Sequence, residues 1–176
     1  RDKQPKVALV WSQFAACHAD RCIALARRLE GRARVVAVEV ATTSHDYADF
    51  PPSGETGGAD KRTLFPGRSF DEVSRWRRFT ATLSAVKGCR IVCIGVPYNL
   101  LEFVLLAWVL RLRGRQVVLL CDSKFDDFPR ASGFELVKRL GLSGFSAVMV
   151  AGTRGVQYFR FLGFRRKPVL LGCDTV

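Results

Sequence analysis

The side chains best suited to catalysis or ligand binding follow short apolar runs. Asp122 comes directly after V-V-L-L-C, Tyr98-Asn99 follow I-G-V-P, and Arg154 follows A-G-T. A carboxylate can accept a hydroxyl proton or hold that hydroxyl in place. An aromatic ring beside an amide suits sugar recognition, and an arginine at a helix start can meet an anionic group. The alternatives are structural: Asp122 would cap the next turn, and Tyr98 would pack over its loop.

These residues need a scaffold, and the hydrophobic pattern predicts one. A chain of 176 residues suffices for a single domain, which we place over 1–176. Short apolar runs alternate with amphipathic stretches, as in a parallel sheet wrapped by helices. The predicted fold class is α/β, a Rossmann-like three-layer α/β/α domain with a mostly parallel sheet of about seven strands. Strands are predicted at 7–11, 35–40, 62–65, 90–95, 116–121, 147–151 and 168–171, and helices at 19–29, 71–86, 100–113, 134–140 and 153–162.

Two connections have a distinctive composition. Pro66-Gly67 is expected to close a brief third strand, and residues 42–59, with Pro51-Pro52 and Gly57-Gly58, are expected to form a mobile loop.

Open parallel sheets bind ligands beyond the carboxyl ends of their strands, near the point where strand order reverses. That rule selects 12–18, 42–46, 96–99, 122–127 and 152–155. The first of these, S-Q-F-A-A-C-H, has no glycine, and the chain has no G-x-x-x-x-G-K-[ST] motif. A dinucleotide-binding or P-loop domain is therefore disfavoured. Gln13 and His18 are candidate polar contacts in this loop, with a purely structural role as the alternative.

The chain is strongly basic, with a net charge of +12 and 21 arginines among its 28 basic residues. This composition suits an anionic partner such as a phosphorylated sugar, a nucleotide or a membrane surface. A G+C-rich coding sequence would produce the same skew without any partner. The basic residues are scattered in pairs rather than gathered in a block, so we predict no nucleic-acid partner.

Cysteine usage and hydropathy bear on location. The six cysteines form no C-x-x-C pair and only two histidines are present, so we expect reduced thiols and no metal site. We also expect no signal peptide and a cytoplasmic protein. The apolar stretch Leu100–Leu110 contains Glu102 and is too short to span a bilayer. A buried helix is the favoured interpretation. The alternative is a helix at a membrane surface that uses the arginines following it.

Three segments together resemble the amino-terminal domain of GT-B glycosyltransferases of the group 1, family 4-like kind. They are L-F-P-G at 64–67, Asp122-Ser123 with its charged loop, and the last thirty residues. In the last segment a strand, a helix with Tyr158 and Leu162-Gly163, and a second strand lead to Gly172-Cys173-Asp174, after which a second domain follows in that family. The likeness in element order covers the whole chain.

The resemblance implies a retaining, metal-independent transfer of a sugar from a nucleotide-sugar donor to an acceptor hydroxyl. It implies that this domain holds the sugar, glycan or lipid-linked acceptor, with no cofactor, while a carboxyl-terminal domain binds most of the donor. The donor-side paired-glutamate motif has no counterpart here, so we expect this chain alone to be inactive. Asp122 would lie in the cleft between the two domains, beside the reacting centre or the acceptor, and a peripheral location at the inner face of a membrane is compatible with this function.

The remaining candidate acceptor contacts are Ser123, Arg130 and Lys138. In the family, a basic residue precedes a lysine-bearing helix, as Arg130 precedes Lys138 here. Arginine can fork onto a phosphate or carboxylate, although a solvated helix face explains the same charges. Two functions of other kinds stay open. One is a free-standing Rossmann-like module that binds an anionic metabolite, and the other is half of a nucleotide-sugar epimerase.

Overall fold

The computed structural model describes residues 4–52, 54–124 and 132–173. Seven parallel strands form one sheet in the order β3-β2-β1-β4-β5-β6-β7, and the predicted Rossmann-like α/β/α fold is confirmed. The strands are β1 Lys6–Trp11, β2 Arg34–Thr43, β3 Asp60–Ser69, β4 Ile91–Ile94, β5 Gln116–Cys121, β6 Ala147–Val150 and β7 Val169–Leu171. The helices are α1 Ala16–Arg28, α2 Arg75–Ala85, α3 Leu101–Leu112, α4 Ser132–Leu142 and α5 Thr153–Phe161.

The chain divides into two compact units, residues 1–93 and 94–176. In the first unit, β1 and β2 are almost wholly buried, as expected for parallel strands covered on both faces. Helix α1 buries His18, Ala19 and Cys22 and ends in Arg27 and Arg28. Their positive charges interact favourably with the negative, carboxyl-terminal end of the helix dipole.

Strand β3 is longer than predicted, because Pro66-Gly67 does not end it. The strand runs to Ser69, and the pairing register shifts between Ala41↔Phe65 and Thr43↔Ser69. Proline is tolerated there because β3 is an edge strand. Gly67 has a φ of 70°, and its N–H donates to Thr42 Oγ1 at 2.8 Å. The expectation of a brief strand was wrong, since the chain absorbs both residues as a bulge.

Part of the segment predicted as a mobile loop has regular secondary structure. Strand β2 takes up its first residues, and a short 3-10 helix forms at His45–Tyr47. The Gln13 side chain is buried and makes two hydrogen bonds to this segment. Its Oε1 accepts the Ser44 N–H at 2.7 Å, and its Nε2 donates to the Phe50 carbonyl at 3.0 Å. These contacts tether the first half of the segment.

The predicted helix over 71–86 is interrupted. A 3-10 turn at Phe70–Glu72 precedes α2, and Val73 between them is extended, with φ −86° and ψ 125°. Val73 and Phe79 are buried, whereas Trp76 is exposed. Burial of Val73 in an extended conformation therefore divides the expected helix in two.

In the second unit, helix α3 follows β4 and packs on β5. Phe103, Leu106 and Leu110 lie on its buried face, and Gly114, with a φ of 73°, follows its end. The expected burial of this helix is only half correct, because Leu101 and Leu112 are well exposed. Among the described helices, none is long and apolar enough to cross a membrane.

All six cysteines fall in the described ranges, and none of them forms a disulfide. Burial raises the pKa of the Cys22 and Cys93 thiols to about 12. Both thiols are therefore protonated at neutral pH and behave as small apolar side chains.

Candidate functional site

The candidate site lies in the second unit, where β5 and β6 end together. The strands are parallel, and Cys121 pairs with Val150 as the last residues of each. The residues that follow, Asp122 and Ala151, therefore leave the sheet at the same edge. This edge is at the carboxyl ends of the strands, where the rule predicts a ligand, but the strand order reverses between β1 and β4 and not here.

A cavity of about 600 Å³ opens at this edge, a size suited to a small ligand. It brings together one carboxylate, two cationic side chains and the first turn of α5. We call this cavity the β5–β6 pocket. Its lining residues are Asp122, Lys124, Ala151, Gly152, Thr153, Arg154 and Gly155.

The first turn of α5 gives the pocket a positive electrostatic character. Gly152 precedes the helix in an extended conformation, and no side chain caps the helix or places a carboxylate in its first turn. The first N–H groups of a helix lack intrahelical acceptors, and the helix dipole is positive there. Arg154 adds a full charge to this turn. The arrangement suits an anionic group of a ligand.

Gly155 lets α5 approach the loop that carries Asp122. A Cβ at this position would lie 3.0 Å from Val150 Cβ and 3.4 Å from the Ser123 carbonyl oxygen. Contacts of this length leave little room for a side chain. Ser123 therefore lies against α5 through its backbone, and it is half-buried rather than part of the pocket lining.

Tyr98 and Lys138 meet at Tyr158 rather than in the pocket lining. Tyr158 is fully buried and donates to Glu135 Oε2 at 3.0 Å, while Lys138 Nζ donates to Glu135 Oε1 at 3.0 Å and to Tyr158 Oη at 3.4 Å. Burial raises the pKa of Tyr158, and hydrogen bonds with Tyr98 and Glu135 raise it further. The Tyr98 ring also meets Phe159 edge-on. This network ties α4 to α5.

Asn99 is not among the residues that line the pocket. Asn99 is exposed in the turn between β4 and α3. Arg130 lies outside the described residues.

Gln13 and His18 lie together in the first unit, and both are buried. His18 Nδ1 is 3.0 Å from the Gln13 carbonyl oxygen, and the His18 ring stacks on Trp11 at 4.6 Å and meets Tyr47 edge-on at 4.8 Å. Both side chains thus make contacts within the protein. A binding role for them stays a prediction.

A buried carboxylate in the first unit escaped the sequence analysis. Glu39, in the middle of β2, is only 2% exposed. Its Oε1 accepts the Phe14 N–H at 2.9 Å, and its Oε2 accepts the Thr63 hydroxyl at 2.7 Å and lies 3.4 Å from Lys61 Nζ. Glu39 therefore joins the loop after β1 to β3. One signal was available, since Glu39 is the single charge within the apolar run V-V-A-V-E-V-A.

The positions of the Lys124 and Glu135 side chains were also not predicted from the sequence. Lys124 lines the pocket because it follows Asp122 closely, whereas Glu135 is buried rather than on a solvated face. Its partner Tyr158 is 23 residues away, so no local pattern signals the pair. Across the described residues, no group of three or more His, Cys, Asp or Glu side chains is arranged to hold a metal ion.

No protein-family model matches the chain, and no significant match is found among curated proteins.

Proposed function

We propose that the chain is the acceptor-binding domain of a glycosyltransferase that moves a sugar from a nucleotide-sugar donor to an acceptor hydroxyl. One observation carries the proposal: Asp122 lines the same pocket as Arg154 and the first turn of α5. A carboxylate beside a cationic anion-binding turn suits a ligand that has both a hydroxyl and a phosphate or carboxylate.

Asp122 has the reactive role in this proposal. Its carboxylate orients the acceptor hydroxyl and accepts its proton as that oxygen bonds to the donor's anomeric carbon, while the bond from this carbon to the nucleoside diphosphate breaks and the diphosphate leaves. Arg154, Lys124 and the N–H groups of α5 bind the acceptor's anionic group. Their contacts fix the acceptor, so that the hydroxyl stays at Asp122.

The donor side rests on the resemblance to the family. A second domain would bind the nucleotide and diphosphate, and the reaction would be retaining and metal-independent. The enzyme would work in the cytoplasm, where nucleotide sugars are its co-substrates. The chain alone would then bind acceptors without transferring sugar.

Arg154→Gln should weaken the binding of glucose 6-phosphate to the chain by roughly tenfold to a hundredfold. The estimate follows from the loss of a hydrogen bond to a charged group, about 1.5–3 kcal/mol. Isothermal titration calorimetry with glucose 6-phosphate, glucose and inorganic phosphate measures the change.

The matched control is Arg160→Gln, because Arg160 is exposed in the last turn of the same helix. It should bind glucose 6-phosphate as the wild-type chain does. Equal losses in both variants would mean that the net charge, and not the pocket, attracts the ligand. An unchanged affinity in Arg154→Gln would remove Arg154 from the site.

A second candidate, the free-standing module for an anionic metabolite, draws on the same pocket. It also predicts binding of a phosphorylated ligand and sensitivity to Arg154→Gln. The two proposals differ in the role of Asp122, because only the transferase requires this residue for turnover.

A further inference from the structure

Helix α3 has a continuous apolar stripe on its outer face. Four side chains recur at spacings of four, three and four residues and are 41–82% exposed: Leu101, Leu105, Trp108 and Leu112. The buried face of the helix, with Phe103, Leu106 and Leu110, is equally apolar. A surface helix normally has polar residues outward. This outer face therefore suits an apolar environment.

Helix α4 has its polarity reversed. Glu135 is buried and Lys138 is partly buried, where they bond each other and Tyr158. Four apolar side chains instead point outward and are 58–70% exposed: Phe134, Leu136, Val137 and Leu140. The arrangement is the opposite of that in a helix adapted to water on its outer side.

The two helices pack against each other, and Trp108 of the α3 stripe lies beside the turn that follows α4. A Cβ on Gly141 of α4 would lie 3.3 Å from Val104 Cγ1, and one on Gly144 would lie 3.0 Å from Trp108 Cδ1. We call the eight exposed side chains the α3–α4 face. Contiguous apolar patches of this kind mark interaction sites.

Positive charge gathers at one end of this face. Arg111 and Arg113 are exposed at the end of α3. Lys167 Nζ donates to the carbonyls of Ser143 and Phe145 just beyond α4, at 2.9 and 2.7 Å. Burial lowers the pKa of Lys167, and the nearby charge of Arg111 lowers it further.

Negative charge is missing from the outer side of both helices. Glu102 is the single acidic residue of α3, Glu135 is that of α4, and both are buried. The α3–α4 face thus combines outward apolar residues with cations and has no exposed carboxylate on either helix. An occupant that is both apolar and anionic matches this combination.

We propose that the α3–α4 face lies on an anionic lipid bilayer. Leucine, tryptophan and phenylalanine enter the boundary between headgroups and acyl chains, and the arginines bind lipid phosphates. A second copy of the chain fits less well, because neither helix has an exposed carboxylate that could pair with the arginines of the other copy. This proposal does not depend on the function of the β5–β6 pocket.

The chain should co-sediment with vesicles of phosphatidylglycerol and phosphatidylcholine, and much less with vesicles of phosphatidylcholine alone. The double variant Leu105→Gln/Leu112→Gln should lose at least about tenfold in binding, since each leucine contributes apolar burial. Arg111→Gln/Arg113→Gln should lose roughly thirtyfold on anionic vesicles only, since each charge near the surface contributes about 1 kcal/mol.

Controls come from the first unit. Trp76→Gln removes an exposed apolar side chain, and Arg27→Gln/Arg28→Gln removes two exposed cations, so both should bind as the wild type does. In a Trp76→Phe chain, the remaining tryptophans are Trp108 and the buried Trp11. A blue shift of emission on adding anionic vesicles then reports entry of Trp108 into the bilayer.

Three outcomes of the vesicle experiments would overturn the proposal. They are no binding to anionic vesicles, equal losses in the first-unit controls, and binding that the leucine variants leave unchanged. Sedimentation velocity without lipid tests the other occupant. A stable dimer that dissociates in Leu105→Gln/Leu112→Gln would make the face a self-association surface instead. Circular dichroism verifies that each variant is folded.

Discussion

Replacing Glu39 with alanine should lower the free energy of unfolding of the chain by about 3 kcal/mol. Removing one partner of a buried ion pair usually costs about 3–5 kcal/mol. The lower end applies because the Lys61 side chain is 21% exposed and can be hydrated. The Phe14 N–H, in contrast, loses its acceptor in the interior, and the Thr63 hydroxyl loses its partner.

Urea denaturation followed by circular dichroism measures the loss. Asp60→Asn is the control, because it breaks the exposed Arg62–Asp60 pair at 2.6 Å and should cost about 0–1 kcal/mol. Glu39→Gln keeps an oxygen for the Phe14 N–H and should lose less than Glu39→Ala. If Glu39→Ala were as mild as Asp60→Asn, the carboxylate would not join the β1 loop to β3 in the way described.

The architecture was predictable because strand and helix periods are local properties. Strand β5 was predicted to the residue at Gln116–Cys121, since its apolar run has a sharp polar boundary on each side. Strand β3 was not, because proline and glycine usually end a strand. Only the sheet order, which places β3 at an edge, explains why Pro66 is tolerated.

The candidate site was predictable to the same degree. Asp122 and Arg154 share a pocket because each follows the end of a strand, and parallel pairing brings those ends together. The role of Lys138 was harder to predict, because its nearest partners depend on how α4 packs on α5. The α3–α4 face could not be predicted from the sequence for a similar reason. An all-apolar helix does not reveal which side is covered.

Asp122→Asn in the complete enzyme should lower kcat for sugar transfer by roughly 10²–10⁴-fold, the range of a general base. Asparagine has the same shape and can still hydrogen-bond the hydroxyl, but it cannot accept the proton. The assay measures the transfer of sugar from UDP- and GDP-linked donors to phosphorylated acceptors as the release of the nucleoside diphosphate. It gives kcat and KM separately.

The matched control is Asp71→Asn. The Asp71 carboxylate is exposed and accepts the His45 N–H at 2.9 Å, which is the capping role that Asp122 would otherwise have. Asp71→Asn should leave kcat unchanged. If Asp122→Asn also leaves kcat unchanged and alters only stability, Asp122 is a cap and not a reacting group.

Backbone-amide NMR of the chain tests most directly whether the β5–β6 pocket binds the acceptor. On addition of glucose 6-phosphate, we predict that the largest chemical-shift changes occur at Gly152–Gly155 and Asp122–Lys124. These changes should shrink in Arg154→Gln and persist in Arg160→Gln. If the shifts are absent, or are largest away from these two segments, the β5–β6 pocket does not bind the acceptor.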